Sequence, residues 1–135
     1  VILPERADPP RHHRLILIKG DLDWLTDNKR MHWRSRARHV AAWRRYAAMV
    51  GGIFLTPMPH GAHVIAELRF ADARRRDPNN WNPTAKACID GLVDAGIFRD
   101  DHAGLILGPD MRLGPRVVPQ DVGLILHFWP KESPP

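Results

Sequence analysis

The sequence predicts an α/β (α+β) domain in which a small mixed β-sheet packs with two main helices. Three observations lead there. Residues 14–19 (RLILIK) form a short, branched, apolar run of the kind found in buried strands. Residues 63–70 (HVIAELRF) alternate, with Val64, Ala66, Leu68 and Phe70 on one face and Ile65, Glu67 and Arg69 on the other. That is the pattern of a half-buried strand. Two further stretches space their apolar residues at helical intervals. Strands alternating with helices favour a layered α/β arrangement, although the sequence does not set the strand order.

In chain order, residues 1–13 carry three prolines, mixed charge and the His12–His13 pair, and read as a flexible tail. A single domain is expected over residues 14–130, with residues 131–135 as a second short tail. Residues 20–31 are polar and turn-rich. From Trp33 to Val50 the pattern is helical: Trp33, Ala37, Val40, Ala41, Ala47 and Val50 form an apolar stripe, and Arg34, Arg38 and Arg45 lie on another. Gly51–Gly52 is expected to end this helix. Two prolines mark residues 53–61 as a connection. Residues 72–82 form a loop rich in arginine and asparagine. Pro83 then suits the first turn of a second helix, with Asn82 or Thr84 as its cap. That helix directs Ala85, Cys88, Ile89, Leu92 and Val93 inward and stops near Gly96. Residues 105–107 and 122–129 read as strands separated by the turn-rich segment GPDMRLGPRVVPQD.

Composition narrows the function classes. Twenty Lys+Arg against fifteen Asp+Glu give a net charge of +5, a balance that favours a polyanionic partner. The single cysteine, Cys88, cannot form an internal disulfide, so a reducing, cytoplasmic setting is the default expectation. No apolar run approaches the ~20 residues of a membrane span, and the first residues lack the layout of a secretory signal. No glycine-rich phosphate loop is present, so nucleotide use is not indicated. The eight histidines do not fall into a zinc pattern. Cys88, on an apolar helix face, reads as a small buried hydrophobe.

The most informative segment is residues 74–101, RRRDPNNWNPTAKACIDGLVDAGIFRDD. Three arginines lead into Asp77, Asn79 and Asn80 follow, a helix carries Lys86 and Asp90, and the segment closes on Asp100–Asp101. Carboxylate and carbonyl oxygens suit a hard cation such as Mg²⁺ or Mn²⁺. Arginine and lysine suit a phosphodiester.

The ordered set Arg75, Arg76, Asp77, Asn80, Lys86, Asp90, Leu92, Asp100 and Asp101 resembles the RusA-type Holliday junction resolvases. These are small, dimeric, Mg²⁺- or Mn²⁺-dependent endonucleases whose motif runs D-x-D-N, lysine, D-[AG]-L, then D-D. Upstream, Asn28-Lys-Arg30-Met-His32-Trp33 and the following Trp43-Arg44 look like the N-R-x-H-W entry and W-R helix of the phage and actinobacterial branch. The resemblance covers roughly residues 14–128. It implies a RusA-like fold, a homodimer and a four-way DNA junction as substrate, in a bacterial or phage-infected cell. It also implies Asp77, Asp100, Asp101, Asn80 and Asn79 as metal donors, Lys86 as a phosphate-facing cation and Asp90 as a support.

Two departures stand out. Asn79 occupies the place of the motif's second aspartate, and about three extra residues precede Lys86. An amide offers one neutral oxygen where a carboxylate offers charge, so metal affinity should fall unless Asp100, Asn80 or Asp72 compensates. Plainer readings stand beside these roles. Asp77 can be a solvated turn residue, Asp101 a turn cap, and Lys86–Asp90 an ordinary i,i+4 pair. The second functional element is basic: Arg30 and His32 in an approach loop, then Arg34, Arg38 and Arg45 on the helix, with Arg74, Arg75 and Arg76 beside the motif. These suit contacts to a DNA backbone. The interleaved tryptophans are expected to pack inside the core.

Overall fold

The computed structural model describes residues 12–28 and 30–132. Four strands, β1 His13–Ile18, β2 Ala62–Arg69, β3 Ile106–Leu113 and β4 Gly123–Pro130, form one sheet in the order β1-β4-β2-β3. β4 pairs antiparallel with both β1 and β2, while β2 and β3 are parallel. The two helices are α1 Trp33–Phe54 and α2 Asn82–Asp94. This is the expected mixed sheet with two main helices. The parallel pair is the one joined through α2, because parallel strands need a crossover long enough to hold a helix. No helix among the described residues is long and apolar enough to cross a membrane.

Alternation decides which sheet face is covered. Leu15 and Leu17, Leu124, Leu126 and Phe128, and Val64, Ala66 and Leu68 are all buried. Their registers, Leu15 opposite Leu126 and Val64 opposite Phe128, put them on one face. There they pack with Trp43 and Ala47 of α1 and with Cys88, Ile89 and Leu92 of α2. The other face carries Ile16, Glu67, Arg69, His127 and Trp129, and Ile16 is 53% exposed.

Several boundaries differ from the expected ones. His13 already belongs to β1, and His12 stacks on Trp129 with ring centroids 4.5 Å apart, so these two residues are not part of a tail. Residues 1–11 and 133–135 lie outside the described residues, and so does the tail expected there. α1 does not stop at Gly51–Gly52 but runs on to Phe54, where the Leu55 N–H bonds the Gly51 carbonyl at 2.9 Å. Gly51 is a packing residue, since a Cβ there would meet the Leu92 side chain. Asn82 does not cap α2. A 3₁₀ turn, Pro78–Trp81, leads straight into it, and Asn82 is its first residue. β3 begins near the expected place but continues to Leu113, absorbing half of the supposed turn segment through a cis Gly108–Pro109 bond.

The expected helix stripe holds in part: Val40, Ala47 and Val50 pack on the core, while its first residues do not. Trp43, Ala47 and Gly51 face the core, whereas Trp33 is 68% exposed and Ala37 and Ala41 are exposed as well. Contacts to α2 hold the later part of α1: a Cβ on Gly91 would strike the Arg44 carbonyl, and one on Gly51 would strike Leu92.

Glycine-specific packing gives a direct test. Gly91→Ala is expected to destabilise the fold by about 2 kcal/mol, the usual scale for overpacking, because backbone stands in its way; Gly51→Ala should cost less, because the end of the Leu92 side chain can move aside. Gly52 has open space around its Cβ position, so Gly52→Ala should instead stabilise by about 0.5–1 kcal/mol through helix propensity. Urea denaturation of the three variants checks this; equal effects would mean that the two helices do not touch through glycine.

Candidate active site and nucleic-acid interface

The segment from Gly20 to Asn28 is irregular, yet it is tied to α1, to the 3₁₀ turn and to α2. The Trp43 indole donates to the Asp23 carbonyl at 2.8 Å. The Asp27 N–H donates to the Asn80 carbonyl at 2.9 Å. Thr84, polar and fully buried, accepts from the Leu25 N–H at 2.9 Å and donates to the Leu25 carbonyl at 2.8 Å. Thr84 is therefore not a helix cap. A buried hydroxyl satisfied in both directions fixes the loop against the first turn of α2.

Asp77 shapes the next segment. Its carboxylate accepts from the Asn79 N–H at 3.1 Å and so caps the 3₁₀ turn. Asp77 and Asn79 remain exposed, and Asn80 is half-buried. Arg74, Arg75, Asp77 and Asn80 line an open cavity of about 380 Å³ whose apolar wall includes Trp24, Phe70 and Trp81. Arg76 also lines it but is committed elsewhere. It pairs with Asp72 at 2.8 Å, and its guanidinium lies 3.8 Å from the Phe70 ring centroid. Asp72 is thus engaged with arginine, and its carboxyl is held below the ordinary value chiefly by the Arg76 hydrogen bond. The Trp81 indole N–H is buried with no hydrogen-bond partner among the described residues.

α2 presents Lys86 and Asp90 on its outer side, one turn apart, because Ala85, Ala87, Cys88, Ile89 and Leu92 take the core side. Lys86 reaches Asp90 at 3.1 Å and also contacts the Asp101 carboxylate. The i,i+4 pair is therefore present, and Lys86 bridges it to the loop after the helix. Partial burial works against the charge on Lys86, but its bonds to Asp101 and Asp90 outweigh that and raise its pKa. Asp101 is shifted the other way, below the usual carboxylate range, first by the Lys86 hydrogen bond and then by its charge. Asp100 accepts from the Asp101 N–H at 2.7 Å, which ties the two residues of the doublet together. Burial pushes the Cys88 thiol well up, as expected of an inert core cysteine.

The sequence-predicted donors thus fall into two groups. Lys86, Asp90 and Asp101 meet directly, with Asp100 adjacent. Asp77, Asn80 and the arginines share a cavity, with Asn79 on the capped turn between them. Among the described residues, no three His, Cys, Asp or Glu side chains come together to hold a metal ion. A protein-built cage is therefore absent from these residues. Only a site of one or two carboxylates, completed by water and substrate phosphate, would be left for Mg²⁺ among these residues.

On the basic side, His32 caps α1 by accepting from the Arg34 N–H at 3.2 Å. Arg30, Arg34, Arg38 and Arg45 are exposed and have no carboxylate partner among the described residues. Arg44 is different: it grips Asp94 with two bonds of 2.5 and 2.8 Å, tying α1 to the end of α2. Sequence reasoning missed this pair, the Thr84 clamp and the Trp24–Phe70–Trp81 wall. Each depends on a long-range contact without a local signal.

No protein-family model matches the chain, and no curated protein matches it. The family resemblance therefore rests on the motif residues themselves.

The Lys86–Asp101 contact has a titration signature. A depressed carboxyl contributes stability above its unfolded pKa of about 3.9 and loses it as pH falls through the lower folded value. In Lys86→Met the Asp101 carboxyl should titrate closer to the ordinary value, and the acid limb of the stability curve should flatten. Carboxyl-carbon NMR follows the shift; an unmoved Asp101 would rule out the ion pair in solution.

Proposed function

We propose that this chain is a structure-selective, metal-dependent DNA endonuclease that resolves four-way junctions by hydrolysing phosphodiesters. It would act as a homodimer inside a bacterial or phage-infected cell, in DNA recombination and repair. The observation that supports this reading best is the Lys86–Asp101 pair. The motif places these residues fifteen apart, and folding puts them in contact on an accessible surface. An exposed carboxylate held charged beside an exposed ammonium suits a metal facing a phosphate.

Asp77 and Asp101, helped by Asp100, Asn80 and Asn79, would hold one or two Mg²⁺ or Mn²⁺ ions. When bound, the metal supplies a Lewis acid and an acidified water. The chain's own groups do the rest. Lys86 exchanges its carboxylate partner for a phosphate oxygen and offsets charge on the leaving oxygen. Asp90 keeps one end of Lys86 anchored while it does so. Arg74 and Arg75 draw the backbone toward Asp77, and the α1 arginines hold a neighbouring arm through sequence-independent contacts.

A second reading is favoured by Asn79 and by the lack, among the described residues, of three His, Cys, Asp or Glu side chains grouped to hold a metal. It is a branched-DNA-binding protein that no longer cuts. A fork- or flap-directed nuclease would keep the same chemistry on another substrate.

Labelled four-way junctions, forks and linear duplex, incubated with Mg²⁺, Mn²⁺ or EDTA, separate these readings. Paired nicks at the junction are expected, dependent on metal and reduced at least about a hundredfold in Asp101→Asn, the scale of losing a transition-state contact. Tight binding without nicks in either metal would establish the non-catalytic reading instead. Preference for forks would shift the substrate. Asn79→Asp should raise cleavage if the amide weakens metal binding.

A further inference from the structure

The first turns of α1 expose a surface that the proposed cleavage chemistry does not use. Trp33, at the start of the helix, is 68% exposed. Two neighbours lie close to its ring: His32 stacks at a centroid distance of 5.8 Å, and the Arg34 guanidinium lies 5.1 Å from the ring centroid. Beside it runs a shallow cavity of about 400 Å³ lined by Trp33, Arg36, Ala37, Val40, Ala41 and Arg44. The lining thus combines small apolar side chains with two arginines, of which Arg44 is paired with Asp94.

The charge pattern identifies the occupant. The first turn of α1 contains no acidic residue, although the positive end of a helix favours acids and disfavours arginine. Arg34 and Arg36 sit there, and Arg38 one turn on, without a carboxylate partner among the described residues. This arrangement costs the isolated helix stability and suits a polyanion. A flat indole framed by cations matches a nucleobase joined to its phosphates, since a base stacks on the ring while arginines track the backbone. A stable protein interface needs roughly 800 Å² per partner, and a single indole with two alanines falls well short of that. Within a continuous duplex each base is already stacked on both sides. An indole gains a contact only where stacking is broken: at a branch point, a fork or a single strand.

We propose that Trp33 is a stacking platform for an unpaired or unstacked base, and that it gives the protein its preference for branched over linear DNA. This deepens the endonuclease reading and rests on it for the substrate, but not for the stacking itself.

The test is fluorescence anisotropy in EDTA, so that cleavage plays no part. It uses a labelled four-way junction, a linear duplex and an unpaired oligonucleotide, with wild type, Trp33→Ala and Trp33→Phe. Trp33→Ala should weaken junction and oligonucleotide binding about tenfold and leave duplex binding within about twofold. Trp33→Phe should restore most of the loss, because phenylalanine keeps a π face. A 2-aminopurine at the branch point should change fluorescence with wild type but not with Trp33→Ala. Unchanged junction binding in Trp33→Ala, or equal loss on all three DNAs, would overturn the platform. So would a shift in sedimentation from dimer to monomer in Trp33→Ala, which would make this face an interface between copies. Wild type that ignores junctions but binds the oligonucleotide through Trp33 would remove the resolvase reading and keep the platform. Binding to none of the DNAs would remove both.

Discussion

The close approach of α1 and α2 is the constraint on which the rest depends. At Gly91 the backbone of α2 lies against the Arg44 carbonyl, and at Gly51 the backbone of α1 lies against Leu92. Larger residues would force the helices apart, and both helices rest on the same sheet face through Trp43, Ala47, Ile89 and Leu92. Their spacing fixes which side of α2 looks outward. Lys86 and Asp90 are on that side, and the chain leaving α2 returns Asp101 to Lys86. The Arg44–Asp94 bridge closes the same contact at its edge. The Thr84–Leu25 bonds then fasten the approach loop to the start of α2.

Charge is distributed over this frame by the commitments of individual side chains. Arg44 and Arg76 are tied to carboxylates and serve the fold. Arg30, Arg34, Arg38 and Arg45 are exposed and have no carboxylate partner among the described residues, so they are available to a polyanion. The positive surface is thus narrower than the arginine count alone implies. Lys86 likewise shares its charge with two aspartates, Asp90 and Asp101.

The fold class was legible because period-2 alternation in β2 and helical spacing in α2 each follow from a single buried face. Strand order was not, since β1 and β4 pair across more than a hundred residues and no local pattern encodes that register. The stripe on α1 misled at Trp33, because apolar spacing cannot tell a covered turn from an uncovered one. The glycine pair misled for a related reason: Gly51 and Gly52 are adjacent letters, yet one is a packing residue and the other faces open space. At the candidate site, the Lys86–Asp90 pair was legible in the i,i+4 spacing, whereas the Lys86–Asp101 contact was not. The capping role of Asp77 and the Thr84 clamp were not, since each turns on which backbone group a polar side chain happens to meet.

The central claim is that the carboxylates form a metal site completed by the phosphate of branched DNA. Its most direct measurement is Mn²⁺ binding by EPR, for the protein alone and with a four-way junction made uncleavable at the scissile positions. Weak binding by the protein alone, tightened about tenfold or more by the junction and abolished by Asp77→Asn or Asp101→Asn, is the expected result. Equal affinity with and without DNA, or binding that survives both substitutions, would contradict it.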